Sequence, residues 1–569
     1  MKHMSLRWAW RSVVMTAFVA GVAIAPMPMR AASQAKAPVY LISYSQTHTT
    51  FVRNFNPFQP AAYLDFTQGA IYEPLAIVTT AGTGHTYPWL ATSWAWSNGN
   101  KTLTFTIRPN VKWSDGLPLT AADVAFSYNY GKTHPAADLT GLWGTKQLTS
   151  VRVVGTNQVA LTFSAVNTTV LATAASNIAI IPQHIWSNIA DPATYDNQDP
   201  IGSGPFTQVI SFSPQEFILG KNPYYWQPLS YDGIKVPAIS SNDQALAAMV
   251  SHQLDWTADY IPGIQKSYVA KDPTHFHYFT AYNNPTIGLF FNDSVYPYSL
   301  VAFRQAVSEG IDRTKVAGIG EAGNVPPADA LGVSLAWPSW ADPSLNAQVQ
   351  TLSTFNLATA RATLKSAGFT WDGSNNLIDP KGNKVSFVLE TPAGWSDWIL
   401  SYQIMAQTLN QLGMNVTVKQ VDQNGFFADR SAGTIPGAWL FTEQSGTTPY
   451  QMFEYSISAE SYFPTGQDAI AKGSWNQERF SGPDATAASG LLAQFRSTAD
   501  QATQVKLAYQ LEKIWINDLP VVNLFGQPWW YTYSTDHFTG FPNASNNYAI
   551  GSTYHYPDNV KVLTTIKPV

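Results

Sequence analysis

The chain has 569 residues, a net charge of −5 and no cysteine, so it has neither a disulfide framework nor a cysteine-borne lipid and must be held by a packed core. Charged residues make up 12% of it, about half the ordinary ~25%, and no basic cluster appears, which excludes nucleic acid as a partner. Aromatics reach 13%, with 20 Trp and 27 Tyr, beside abundant Ser, Thr, Asn and Gln; that mixture suits a neutral polar ligand with flat apolar faces. So few carboxylates also predict little loss of stability in acid.

In chain order, Lys2, Arg7 and Arg11 precede an apolar run over 13–26 and the triplet Ala35-Lys36-Ala37, which predicts an export signal over 1–37. The run is short of the ~20 apolar residues that span a bilayer. Val39 to Tyr44 alternates as a strand, and a helix-like stretch leads to Tyr72. Residues 103–108 alternate cleanly, Asp115-Gly116 marks a turn, and Thr120 with Asp123 marks a helix start. A hairpin is expected over 151–163, helices over 361–368, 401–412 and 501–517, and strands over 384–390, 415–421 and 519–525. Interleaved strands and helices make the class α/β.

Several segments together resemble a known family. Leu90-Ala-Thr-Ser-Trp94, Asn100 to Arg108, Val111-Lys-Trp-Ser-Asp-Gly116 and Leu119 to Val124 form one block. Gly202-Ser-Gly-Pro-Phe206, Asn222-Pro-Tyr-Tyr-Trp226, Phe291-Asn292 and Phe303 to Arg313 follow in order. The set is similar to family 5 extracellular solute-binding proteins of the oligopeptide- and dipeptide-binding type. That resemblance implies a periplasmic-binding-protein-like two-lobed fold with an additional inserted lobe, three lobes in all. Lobe I would comprise 38–69, 201–282 and 519–569, lobe II 70–200, and lobe III 283–518. The resemblance further implies a monomeric, exported receptor, periplasmic or at the cell surface. It would deliver a small oligomeric ligand to a membrane permease of an ABC importer, with no cofactor. Gly202 to Pro205 reads as permissive backbone at a crossing between lobes, and Arg304 with Asp312 as a structural ion pair.

Enzyme readings find little to stand on. His275 and His277, two apart on a predicted strand, could seat a metal, but the other histidines are scattered and no metal site is assigned. Gly318 to Gly323 has dinucleotide spacing but follows a helix and runs into Pro326-Pro327. A secreted hydrolase, with a carboxylate pair such as Asp422 and Glu443, is the distant alternative.

For the ligand, Gly437 to Tyr450 matches the segment where peptide-binding members place an amine-pairing Asp, and Thr442 stands at that position. Trp529 to Thr535, Trp475 to Phe480 and the turn at Tyr450 resemble the branch that binds β-linked oligosaccharides. An oligosaccharide is therefore the expected ligand and an oligopeptide the alternative. The stacking candidates are Phe58, Trp395, Trp398, Trp439, Tyr450, Trp529 and Trp530; the polar ones are Asn56, Gln444 and Ser445.

Overall fold

The computed structural model describes residues 37–569 except 46, 60–62, 82–84, 145, 262, 280–285, 443–445, 471–473 and 528. The expected export signal falls, but for its last residue, outside them. Three sheets organise the chain, each over its own hydrophobic core. In the first, Tyr40–Ile42 pairs parallel with Gly233–Pro237, followed by Glu216–Lys221 and Phe206–Ser213. Its core continues through Trp256, Phe276 and Tyr531 to the last helix, Asp558–Thr565.

The second sheet is antiparallel, in the order Ala91–Ser97, Thr102–Ile107, Gln158–Phe163, Leu148–Val154. Alternate residues Leu103, Phe105 and Ile107 point into its core, the period-2 pattern visible in sequence. The helix Ala121–Thr133 begins with a capping box, Thr120 and Asp123 each bonding the other's backbone.

The third sheet is mixed, in the order Asn415–Val421, Ser386–Pro392, Ala438–Thr442, Thr286–Phe291, Val521–Gly526. Helices Val301–Gly310, Leu357–Ser366, Ser396–Gln411 and Gln501–Asp518 accompany it. Leu357–Ser366 and Ser396–Gln411 end before Gly368 and Gly413, both at positive φ. Residues Val39–Val569 form one compact unit. The fold is thus α/β and multi-lobed, as expected.

Four expectations need correction. The stretch before Tyr72 is not a regular helix: Thr67–Ile71 is interrupted by extended Gln68 and by Gly69 at φ 103°. Strand Val521–Gly526 belongs to the third sheet, beside Thr286–Phe291, so the return to the first core comes after Gly526 rather than at Leu519. Arg304 does not pair with Asp312. Its guanidinium donates to Leu519 O (2.9 Å) and Asp518 O (2.6 Å) and lies 3.5 Å from Asp293. Those carbonyls end a helix, where a cation is favoured, while Asp312 accepts from Lys315 N. The glycines of 202–205 serve close approach rather than backbone freedom. Gly204 N donates to Ile71 O at 2.9 Å. A Cβ on Gly202 would meet Ile71 O at 2.1 Å, and one on Gly204 would meet Ala70 O at 2.3 Å.

Two chain crossings therefore run in contact, and Gly204→Ala should cost about 1–3 kcal/mol as overpacking against backbone that cannot give. Chemical denaturation measures this; an unchanged midpoint would mean that the crossings relax freely.

The second and third cores meet through Lys146 and Glu454, an ion pair with both side chains under 5% exposed. Tyr450 OH donates to the other Glu454 oxygen at 3.1 Å, and Thr168 bonds the backbone at Arg496.

Candidate functional site

A cleft of about 500 Å³ opens between the first and third cores. Two local features aim tryptophans into it. Gly394, at φ 86°, lies where a Cβ would meet Ser240 O at 2.8 Å, and the chain then enters Ser396–Gln411, presenting Trp395 and Trp398 edge to face at 4.7 Å. After Val521–Gly526, Trp529 and Trp530 follow. Trp530 packs edge-on to Tyr260 at 4.9 Å, and Trp529 on His555 at 4.4 Å. Trp475 and Phe441 complete the aromatic wall. At the mouth, Thr47 of the first core accepts from Trp395 Nε1 (3.2 Å) and donates to Gln423 (2.5 Å) of the third.

The structure brings together four of the expected residues: Trp395, Trp398, Trp529 and Trp530. Gln444 and Ser445, with Glu443, lie outside the described residues. The remaining four sit elsewhere. Asn56 is fully buried, its amide donating to Pro192 O and Tyr195 O, both at 2.6 Å, so it pins a loop of its own region. Phe58 packs against Trp186 at 5.1 Å and Tyr130 at 5.5 Å. Trp439 is wholly buried and stacked on Phe290 at 6.0 Å, deeper along the strand whose end, Thr442, reaches the cleft. Tyr450 is buried against Glu454 and Phe495. The histidine pair also separates: His275 precedes the strand Phe276–Tyr278 and bonds Asp272 at 2.7 Å, while His277 stacks on Tyr533.

The cleft is not free of ionisable groups, as a site for the neutral ligand suggested by composition would be. Asp259, Glu321 and Asp397 line it. Burial pushes Asp259 up to about 6, against hydrogen bonds from Thr257 and Tyr44. Burial raises Asp397 to about 7, and burial with the charge of Asp397 raises Glu321 well above the usual carboxylate range. Ser401 donates to Glu321 at 2.9 Å. Near neutral pH Asp397 is therefore divided between its protonated and ionised forms while Asp259 is largely ionised, so the cleft offers O–H donors as well as acceptors. Arg430 and Asp468 also line the cleft. Sequence reading missed these five, and it placed Trp475 in a segment resembling the oligosaccharide-binding branch without naming it as a stacking residue. Asp397 carried a signal, standing between Trp395 and Trp398, whereas Asp259 and Glu321 are distant in sequence and only the fold unites them.

The sequence profile of bacterial extracellular solute-binding proteins, family 5 Middle, matches residues 85–506. The chain belongs to that family. Relatives of this family 5 protein include a probable ABC transporter-binding protein of Deinococcus radiodurans, 24% identical over 92% of both chains. The dipeptide-binding protein DppE of Bacillus subtilis is 23% identical, over 77% of this chain and 78% of its own. Among solved structures, an oligopeptide ABC transporter periplasmic binding protein of Thermotoga maritima, with mannohexaose bound, superposes with a TM-score of 0.82 at 24% identity, over 94% of this chain and 99% of that one. The oligopeptide-binding protein AppA of Bacillus subtilis, in complex with a nonapeptide, gives 0.73 at 19%, over 93% and 98%. Proteins of this family are substrate-binding proteins of ABC transporters, which are not enzymes. No helix among the described residues is long and apolar enough to cross a membrane.

Proposed function

We propose that this chain, a solute-binding receptor of an ABC importer for peptides or oligosaccharides, takes an oligosaccharide in the cleft between its first and third cores. It would be exported and deliver that ligand to a membrane permease. The lobe division would be 38–69, 201–282 and the chain after 526 for the first, 70–200 for the second, and 283–526 for the third.

The observation that carries the reading is the convergence of Trp395, Trp398, Trp475, Trp529 and Trp530 on one cleft. Sugar rings offer C–H faces to such walls, and their hydroxyls bond protonated carboxyls and amides from either side. The mannohexaose held by the Thermotoga maritima neighbour supports the same class. A peptide is the second reading, favoured by Asp259, Glu321 and Asp397, any of which could face an α-amino group once ionised.

A thermal-shift screen of oligosaccharides against short peptides tests this. At a hundredfold excess over its dissociation constant, the true ligand should add ~2.7 kcal/mol of stability. Stabilisation by peptides with no response to any sugar would overturn the oligosaccharide assignment.

A further inference from the structure

We infer that the cleft holds a dedicated oxyanion subsite at Arg430, and that the ligand accordingly carries a carboxylate. This deepens the proposed reading of the same cleft and rests on it.

The argument begins with how this protein treats buried arginines. Arg304 spends its nitrogens on Leu519 O and Asp518 O, and Arg313 on Asn523 O and Ser308 O. Arg479 uses Asn476 O and Ser431 O, and Arg496 uses Glu460. Each of these guanidiniums has at least one acceptor, although Arg479 Nε is left without one. Arg430 is different. It is 3% exposed, yet its Nε and Nη1 have no hydrogen-bond partner.

Its position is fixed firmly. It lies in the last turn of Gln423–Ala432, with the guanidinium carbon 3.5 Å from the centre of the Phe441 ring and 4.9 Å from that of Phe427. Stacking holds the guanidinium plane but satisfies no N–H. Phe427, Arg430 and Phe441 all line the cleft. Asp468 on the same wall accepts from Ser431 Oγ. It favours the charged form of Arg430, while burial opposes it and lowers the guanidinium to about 9.

A preplaced, desolvated guanidinium with idle donors at Nε and Nη1 is the complement of an anionic oxygen such as a carboxylate's, to which either can donate a charge-assisted N–H···O bond. A neutral sugar hydroxyl would accept from one nitrogen and add no charge to the attraction that Asp468 supplies. The carboxylate could belong to a uronate ring or to a peptide C-terminus, and the two sources can be separated.

Calorimetry on the full mature chain would compare a β-1,4-glucose trimer, its C6-oxidised glucuronate counterpart, and one tripeptide with free and with amidated C-terminus. We expect the glucuronate trimer to bind about tenfold to a hundredfold more tightly than the neutral trimer. That preference should shrink in high salt and collapse in R430Q. R430K keeps the charge without the planar fork and should fall between. Circular dichroism of the variants checks that they fold; if R430Q does not, the wild-type pair and R430K still decide. Equal affinity for the two sugars would overturn the subsite and keep the oligosaccharide reading. A preference confined to free over amidated peptide would support the subsite and overturn the sugar. Binding of none of the four would overturn both.

Discussion

The melting temperature of the ligand-free protein should rise as the pH is lowered from about 7.5 to about 5, the reverse of what ion-paired carboxylates give. Burial pushes Asp259 up to about 6 and Asp397 to about 7, and Glu321 is raised as well. Away from the cleft, burial also raises Glu73 to about 7 and Glu512 to about 8. In the unfolded chain all five ionise near pH ~4. Between about pH 4 and about pH 7 the native state therefore holds protons that the unfolded chain has released, and stability is lost as pH rises through that window. For Asp259, moving from 3.8 to about 6 corresponds to about 3 kcal/mol. The acid limit is set by groups of the opposite sign. Asp372, Asp500 and Asp536 are held low by hydrogen bonds from Asn376, from Thr503, and (against some burial) from Ser534, and their stabilisation is lost below pH ~4. Calorimetric melting across this range measures the effect, and Asp259→Asn with Asp397→Asn should flatten it. A melting temperature that falls steadily from neutral pH to pH ~5 would refute the account. Composition suggested mere indifference to acid; the burial of these few carboxylates converts that into a preference for it.

The second large effect separates two tryptophans that look alike in sequence. Trp395→Ala should weaken binding of the best ligand from the screen by about thirtyfold or more, as truncated aromatic anchors do. Trp395 is half-buried on the cleft wall, so its loss should leave the fold largely intact. Trp439→Ala should do the opposite. Its side chain is wholly buried against Phe290, and removing it should cost about 3–5 kcal/mol of stability through the cavity left behind. Calorimetry and thermal melting of the two variants side by side decide the matter. A Trp439→Ala protein with wild-type stability and no binding would return that residue to the cleft.

This contrast marks where sequence reading stops. The period-2 strand at 102–107, the cap at Thr120 and the helix stop at Gly413 were legible because local chemistry determines them. Trp439 and Asn56 were misplaced because residue type says that a side chain stacks or bonds, not on what. Asn56 satisfies its amide within its own region, and Trp439 finds its ring partner on the neighbouring strand. The cleft residues that were missed, Asp259, Glu321, Asp397 and Arg430, come from separated stretches and have no spacing to betray them. Their burial, which gives them their chemistry, exists only once those stretches are folded together.

The contact between Lys146 and Glu454 limits how the molecule can be perturbed from outside. Both partners are shut away from solvent, so mobile ions reach them poorly and salt should leave the junction of the second and third cores almost untouched. Any rearrangement that parts the two must rehydrate a full positive and a full negative charge together, with no half-wetted stage of low energy between. Such a junction behaves as a catch with two settings rather than as a spring.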